Sequence, residues 1–185
     1  GVAFFSLIFA FLQSGIIPVL IDPGIGIKNL KQCINEAKPV GFIGITKAQL
    51  ARVLLAWGKS SIKKKVTVGP RLFWGGHNFQ KIKAAGRSDA PVECFAAKPD
   101  DLASISFTSG STGVPKGVMS TQSSMRRQIE IIRSTYNITP DEIDLPTFPP
   151  FALLNPIIGV STVIPDMDAT RPADVDPQRI IRVVE

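Results

Sequence analysis

Histidine is nearly missing from this chain, and that scarcity closes off several chemistries at once. The one histidine, His77, sits in Trp74-Gly75-Gly76-His77-Asn78, a sequence that reads as a loop. A catalytic triad or a histidine-built metal centre would rest on that residue alone. Cysteine is almost as scarce. Cys33 and Cys94 are far apart and in no C-x-x-C arrangement, so they give neither a disulfide framework nor a zinc signature. Reduced thiols in a cytosolic protein are the default reading, and a cytoplasmic location is the expectation. Acidic residues are absent from the whole stretch Lys59–Arg87. Internal repeats and low-complexity tracts are also absent.

The missing acids leave the charge lopsided. Residues 1–88 hold 13 Lys/Arg and 2 Asp/Glu, a net of +11, while residues 89–185 hold 8 and 13, a net of −5. A basic stripe is the electrostatic footprint of nucleic-acid binding, and Phe73, Trp74 and Phe79 lie among these residues. No recognisable binding motif accompanies them. A solvated face, or a patch that meets an anionic ligand or a partner domain, is the favoured reading, and no nucleic-acid partner is expected.

The rest of the composition suits an α/β protein with well-buried strands: 44% hydrophobic and 19% charged residues in a chain of 185. The chain starts at Gly1 inside an apolar run and ends in an amphipathic segment, so the expectation is a piece of something longer. Val2–Gln13 reads as a buried helix closed by Gly15, and Ile17–Leu20 as a short strand entering the Asp22-Pro23-Gly24 turn. Gln13, Ser14, Gly15 and Pro18 interrupt the apolar run, so no integral membrane span is expected. No basic region precedes it, which argues against a signal peptide. Lys28–Ala37 is a second helix and Val40–Ile45 a strand. Lys47–Trp57 is a helix with Leu50, Val53, Leu54 and Trp57 as its core row. Lys65–Val68 is another strand. Alternating helices and strands predict a parallel or mixed sheet with helices on both faces. Gly69–Pro91 reads as a surface connection. Gln122–Tyr136 is a helix with Ile129, Ile131 and Ile132 on its apolar side, Val160–Ile164 a strand, and Asp176–Val184 a helix.

The most informative stretch is Phe107-Thr108-Ser109-Gly110-Ser111-Thr112-Gly113-Val114-Pro115-Lys116-Gly117. Leu102–Phe107 before it alternates apolar and polar residues, as a half-buried strand does. A strand running into such a loop suits a phosphate. Glycines let backbone N–H groups approach the anion, hydroxyls add donors, Lys116 supplies a cation, and Pro115 stiffens the exit. The order is not that of a Walker A loop, because Lys116 precedes Gly117 instead of following a glycine. No G-x-G lies in the loop, so the Rossmann pattern fails too.

Thr108–Gly117 resembles the phosphate loop of the adenylate-forming enzymes, roughly [ST]-[ST]-G-[ST]-T-G-x-P-K-G, at every specified position. Two weaker likenesses support it: Gln13–Gly24 resembles the family's "aGavpvpldp" segment, and Pro99-Asp100-Asp101-Leu102-Ala103 the lead-in to its phosphate-loop strand. The resemblance implies the large N-terminal domain of an acyl-adenylate synthetase. Helix and strand units would occupy 1–68, a basic connection 69–99, and the phosphate-loop and acyl-pocket portion 100–185, with the C-terminal domain absent. It implies that a carboxylic acid substrate attacks ATP, with Mg²⁺ present, to give acyl-AMP and pyrophosphate. Thr108, Ser109, Gly110, Ser111, Thr112, Gly113, Lys116 and Gly117 would hold the ATP phosphates, and Lys116 would act in catalysis. No metal ligand is identified, coenzyme A is allowed but not required, and 185 residues alone are expected to be inactive.

The wording Leu145-Pro146-Thr147-Phe148-Pro149-Pro150-Phe151-Ala152-Leu153, with the stretches after Gly159 and Thr170, looks like the olefin β-lactone synthetase and fatty acyl-AMP ligase branch, which implies a fatty or β-hydroxy fatty acid as the substrate. Phe148 and Phe151 are the acyl-pocket candidates that this likeness implies, and ordinary core packing is the competing reading. Other members of the superfamily, namely acyl-CoA synthetases and peptide-synthetase adenylation domains, remain alternatives. A non-catalytic nucleotide-binding module also remains.

Overall fold

A computed structural model describes residues 2–87, 93–108, 113, 115–147, 152–168 and 172–184. The chain divides into two compact units. One comprises Val19–Glu93 and Ile105–Val118, and the other Gly1–Pro18, Cys94–Ser104 and Met119–Glu185.

The first of these units holds β1 (Val19–Ile21), α2 (Ile27–Ala37), β2 (Gly41–Ile45), α3 (Thr46–Leu54), β3 (Lys64–Val68), β4 (His77–Asn78) and α4 (Phe79–Ala85). The expected parallel pairing is present: β2 lies parallel to β3 from Gly41↔Lys64 to Ile45↔Val68, and β3 lies parallel to β4. The succession of units does not build one sheet, however. β1 pairs with β5 (Leu102–Thr108), in register Val19↔Ile105 through Ile21↔Phe107, instead of with β2. His77 is a strand residue, and Asn78 beside it caps α4 by accepting from the Gln80 and Lys81 backbone N–H groups.

The core row expected on the third helix is corrected by the structure. Leu50, Val53 and Leu54 are exposed, Leu54 to 72%. The helix instead turns Gln49, wholly buried, toward the sheet. Gln49 Nε2 donates to the Val66 carbonyl at 3.0 Å, and its Oε1 accepts from Arg52 Nε at 3.0 Å. Gly44 lets the helix come close, because a Cβ there would lie 3.1 Å from Ala48 Cβ. Trp57 is buried as expected, but beyond the helix end. Cys33 is buried, and burial together with the Glu36 charge pushes its thiol pKa up. It therefore stays protonated and inert at neutral pH. Cys94 is exposed.

The second unit opens with α1 (Val2–Gln13). It closes with a Schellman turn: Ile16 N–H bonds the Phe11 carbonyl at 2.8 Å, and Gly15 supplies the left-handed φ of 68°. Twelve residues rise about 18 Å, against a hydrocarbon core of about 30 Å. Among the described residues no helix is long and apolar enough to cross a membrane.

This unit continues with α5 (Gln122–Tyr136), β7 (Ile143–Asp144), α6 (Asn155–Ile158), β8 (Ser161–Thr162) and α7 (Pro177–Val184). Helix α5 has the predicted bounds, with a capping box between Thr121 and Ser124. Ile129 and Ile132 are half-buried, but Ile131 is 63% exposed and does not belong to the packed side. The strand expected over Val160–Ile164 is reduced to two residues.

Candidate phosphate-loop site

The candidate site grows from the outer part of β5. Strand β6 (Lys116–Thr121) lies hydrogen-bonded beside it, in the order β1-β5-β6. The connection 109–115 is too short for a parallel crossover, which takes about a dozen residues or more, so β5 and β6 form a hairpin. The sequence reading missed β6, because Lys116 and Gly117 were assigned to the loop Thr108–Gly117.

Burial along β5 explains where the loop starts. Ala103, Ser104 and Phe107 are buried, and Thr108 is exposed. The parallel pairing of β1 and β5 brings their carboxyl ends side by side at Ile21 and Phe107. Ligands of α/β sheets gather at such ends. After β1 the chain turns through Pro23–Ile25, where Asp22 Oδ1 accepts from the Gly24 N–H at 2.8 Å.

On the return side, Gly113 has φ 79° with open space around it, so the backbone takes a conformation that favours glycine. Pro115 is buried and pins the exit. Lys116 is exposed and has no hydrogen-bond or ion-pair partner among the described residues. Gly117 has a packing reason as well. A Cβ there would lie 3.2 Å from Cζ of the buried Phe107 ring. The structure thus places Thr108, Gly113, Lys116 and Gly117 on one hairpin end. Ser109, Gly110, Ser111 and Thr112 lie outside the described residues, as do Phe148 and Phe151.

The start of α5 is tied to the strand's lead-in. Gln122 N–H donates to the Asp101 carbonyl and Ser123 N–H to that of Pro99, both at 2.9 Å, which satisfies N–H groups that a helix start leaves open.

A cluster that sequence reasoning missed frames the distal motif. Asn155 Nδ2 donates to Asp144 Oδ2 at 2.6 Å and to Thr162 Oγ1 at 2.9 Å. It thereby holds α6 against the parallel pair β7–β8. The signal was invisible because its three members are spread over Asp144–Thr162 without a motif. Asn155→Ala should destabilise the protein by about 2 kcal/mol, since it strands a half-buried carboxylate. A thermal scan would read this as a fall of roughly 4–8 °C. An unchanged midpoint would refute the clamp.

An α/β scaffold whose strand β5 runs at its carboxyl end into a Ser/Thr/Gly/Lys-rich segment is the arrangement expected of a nucleotide-handling class. Within that class, the chain belongs to the AMP-binding enzyme family, whose pattern it matches over residues 1–160. It is 50% identical over 177 residues to an olefin beta-lactone synthetase of Xanthomonas campestris pv. campestris, covering 96% of this chain. It is 49% identical over the same length to the olefin beta-lactone synthetase of Stenotrophomonas maltophilia. The chain spans 32% of the length of each of these relatives. The fold is shared with ATP-bound MatB from Rhodopseudomonas palustris, with TM-score 0.72 and 20% identity, covering 99% of this chain and 35% of that one. It is shared also with the amide bond synthetase McbA of Marinactinospora thermotolerans, with TM-score 0.73 and 19% identity, covering 98% and 35%.

Proposed function

We propose that the complete protein activates a carboxylic acid with ATP and closes a β-hydroxy fatty acid to a β-lactone. The observation that carries this reading is the 50% identity with an olefin beta-lactone synthetase along 96% of the chain. In the first step a carboxylate oxygen attacks the α-phosphorus of ATP. The bond to the β-phosphate breaks, giving acyl-AMP and pyrophosphate. In the second step the substrate's own β-hydroxyl attacks the acyl carbon, loses its proton, and expels AMP. No coenzyme A is consumed.

In this reading the loop Thr108–Gly117 receives the β- and γ-phosphates. Backbone N–H groups and the hydroxyls of Thr108, Ser109, Ser111 and Thr112 fix the leaving pyrophosphate. Lys116 balances its developing charge, since catalysis of this kind is mostly positioning and charge stabilisation. Phe148 and Phe151 stay assigned to the acyl pocket. Magnesium accompanies ATP in such chemistry. Among the described residues no three His, Cys, Asp or Glu side chains converge, so none is assigned to it and no step is derived through it. The adenine and ribose contacts and a late catalytic lysine are assigned to the longer sequence that the relatives carry, including a C-terminal domain. An ATP-consuming reaction and two cysteines in no C-x-x-C arrangement suit a cytoplasmic setting.

The test is pyrophosphate release by the complete protein, with β-hydroxy fatty acids compared with plain ones. Release with both, and lactone only from the β-hydroxy acid without coenzyme A, supports the proposal. Thioester formation that requires coenzyme A would replace it with an acyl-CoA synthetase.

A further inference from the structure

A second cleft, lying wholly within the unit Val19–Glu93 and Ile105–Val118, has the make-up of a ligand site that the phosphate loop does not use. It encloses about 390 Å³, within the size range of small-molecule sites. Its charged wall is Arg52, Lys59 and Lys65, its aromatic wall Trp57, Phe73 and Trp74, and no acidic residue lines it. No ion pair among the described residues neutralises the three cations. Burial lowers the Arg52 guanidinium pKa by disfavouring its charged form, a cost that a bound anion would offset.

The two walls are built differently. Arg52 Nε is committed to Gln49, and Lys65 Nζ donates to the Trp74 carbonyl at 3.1 Å, so both cations are held in place with donors to spare. Lys59 follows Gly58 in a turn closed by the Ser61 and Ile62 N–H groups on the Gly58 carbonyl. Trp74 is buried and anchored by its Nε1–H on Thr67 Oγ1 at 3.0 Å, whereas Phe73 meets it edge-on and stands 73% exposed. An exposed ring fixed against a buried one is a platform for a flat ligand. Trp57 is 4% exposed, and its Nε1–H has no acceptor among the described residues.

We propose that this cleft binds a nucleoside-phosphate-class anion, with the phosphate on Arg52, Lys59 and Lys65 and the flat base against Phe73. The site is independent of the Thr108–Gly117 loop and of the reaction assigned to it. Its reporter is built in, because Trp57 and Trp74 are the chain's two tryptophans and both line the cleft. Titrating the complete protein with ADP, adenosine and ribose 5-phosphate while following tryptophan emission tests the proposal, with Trp57→Phe identifying the part of the signal that comes from the cleft. ADP should change the emission saturably and bind at least tenfold more tightly than either fragment. Lys59→Glu, at an exposed position, should weaken ADP at least tenfold, and Lys116→Ala should leave it unchanged. Circular dichroism shows whether each variant is folded. Equal binding of adenosine overturns the phosphate wall, and equal binding of ribose 5-phosphate overturns the aromatic one. Loss of the signal in Lys116→Ala, its survival in Lys59→Glu, or no signal at millimolar ADP overturns the site.

Discussion

Lys116→Ala in the complete protein should lower acid-dependent pyrophosphate release by about 10²–10³-fold, the usual effect of removing one preorganised charge-stabilising donor. The lysine stands at the first residue of β6, exposed and without a partner among the described residues. Its removal leaves no buried group among the described residues unsatisfied, so stability should change by no more than about 0.5 kcal/mol. Lys116→Arg keeps the charge but spreads it over a planar fork, and should recover only part of the rate. Release near the wild-type rate in Lys116→Ala would remove the lysine from the mechanism, whatever the fold.

Gly76→Ala should produce the largest loss of stability. Gly76 has φ 81°, which costs an L-residue about 1–2 kcal/mol. The added Cβ would also collide with the Lys65 carbonyl oxygen and lie 2.7 Å from Lys65 Cβ. Lys65 belongs to β3, which pairs with β4 one residue beyond Gly76, so relief requires the strands to shift. A total of about 3 kcal/mol is expected, including the overpacking, which lowers the melting midpoint by roughly 6–12 °C. Gly75→Ala separates the two causes. Gly75 also has positive φ, 73°, but a Cβ there meets nothing within 4 Å. Its variant should lose only about 1–2 kcal/mol. Equal losses in the two variants would show that the contact with Lys65 does not matter.

Local pattern was legible wherever the physics is local. Helix α5 has its predicted bounds because Thr121 and Ser124 form a cap within four residues, and α1 because Gly15 closes it. The family was legible because the hydroxyls, glycines and lysine of Thr108–Gly117 are contiguous. What stayed hidden depends on partners distant in sequence. Nothing near Val19 announces that β1 pairs with Ile105–Phe107 instead of with β2. The row Leu50, Val53, Leu54 has helical spacing, yet a polar Gln49 is buried because the Val66 carbonyl lies opposite it. Gly117 was read for its freedom of conformation, and the structure adds a steric reason in the Phe107 ring. The Asn155 clamp and the Arg52–Lys59–Lys65 cleft likewise assemble residues that no motif links.

The central claim is that this family member transfers a carboxylate oxygen to the α-phosphorus of ATP. Its most direct test gives the complete protein a β-hydroxy fatty acid labelled with ¹⁸O in the carboxylate and weighs the AMP formed. The account predicts AMP carrying one ¹⁸O, in step with pyrophosphate and lactone, because the bridging oxygen leaves with phosphorus when the hydroxyl attacks carbon. Unlabelled AMP, or ADP and inorganic phosphate in its place, would contradict it.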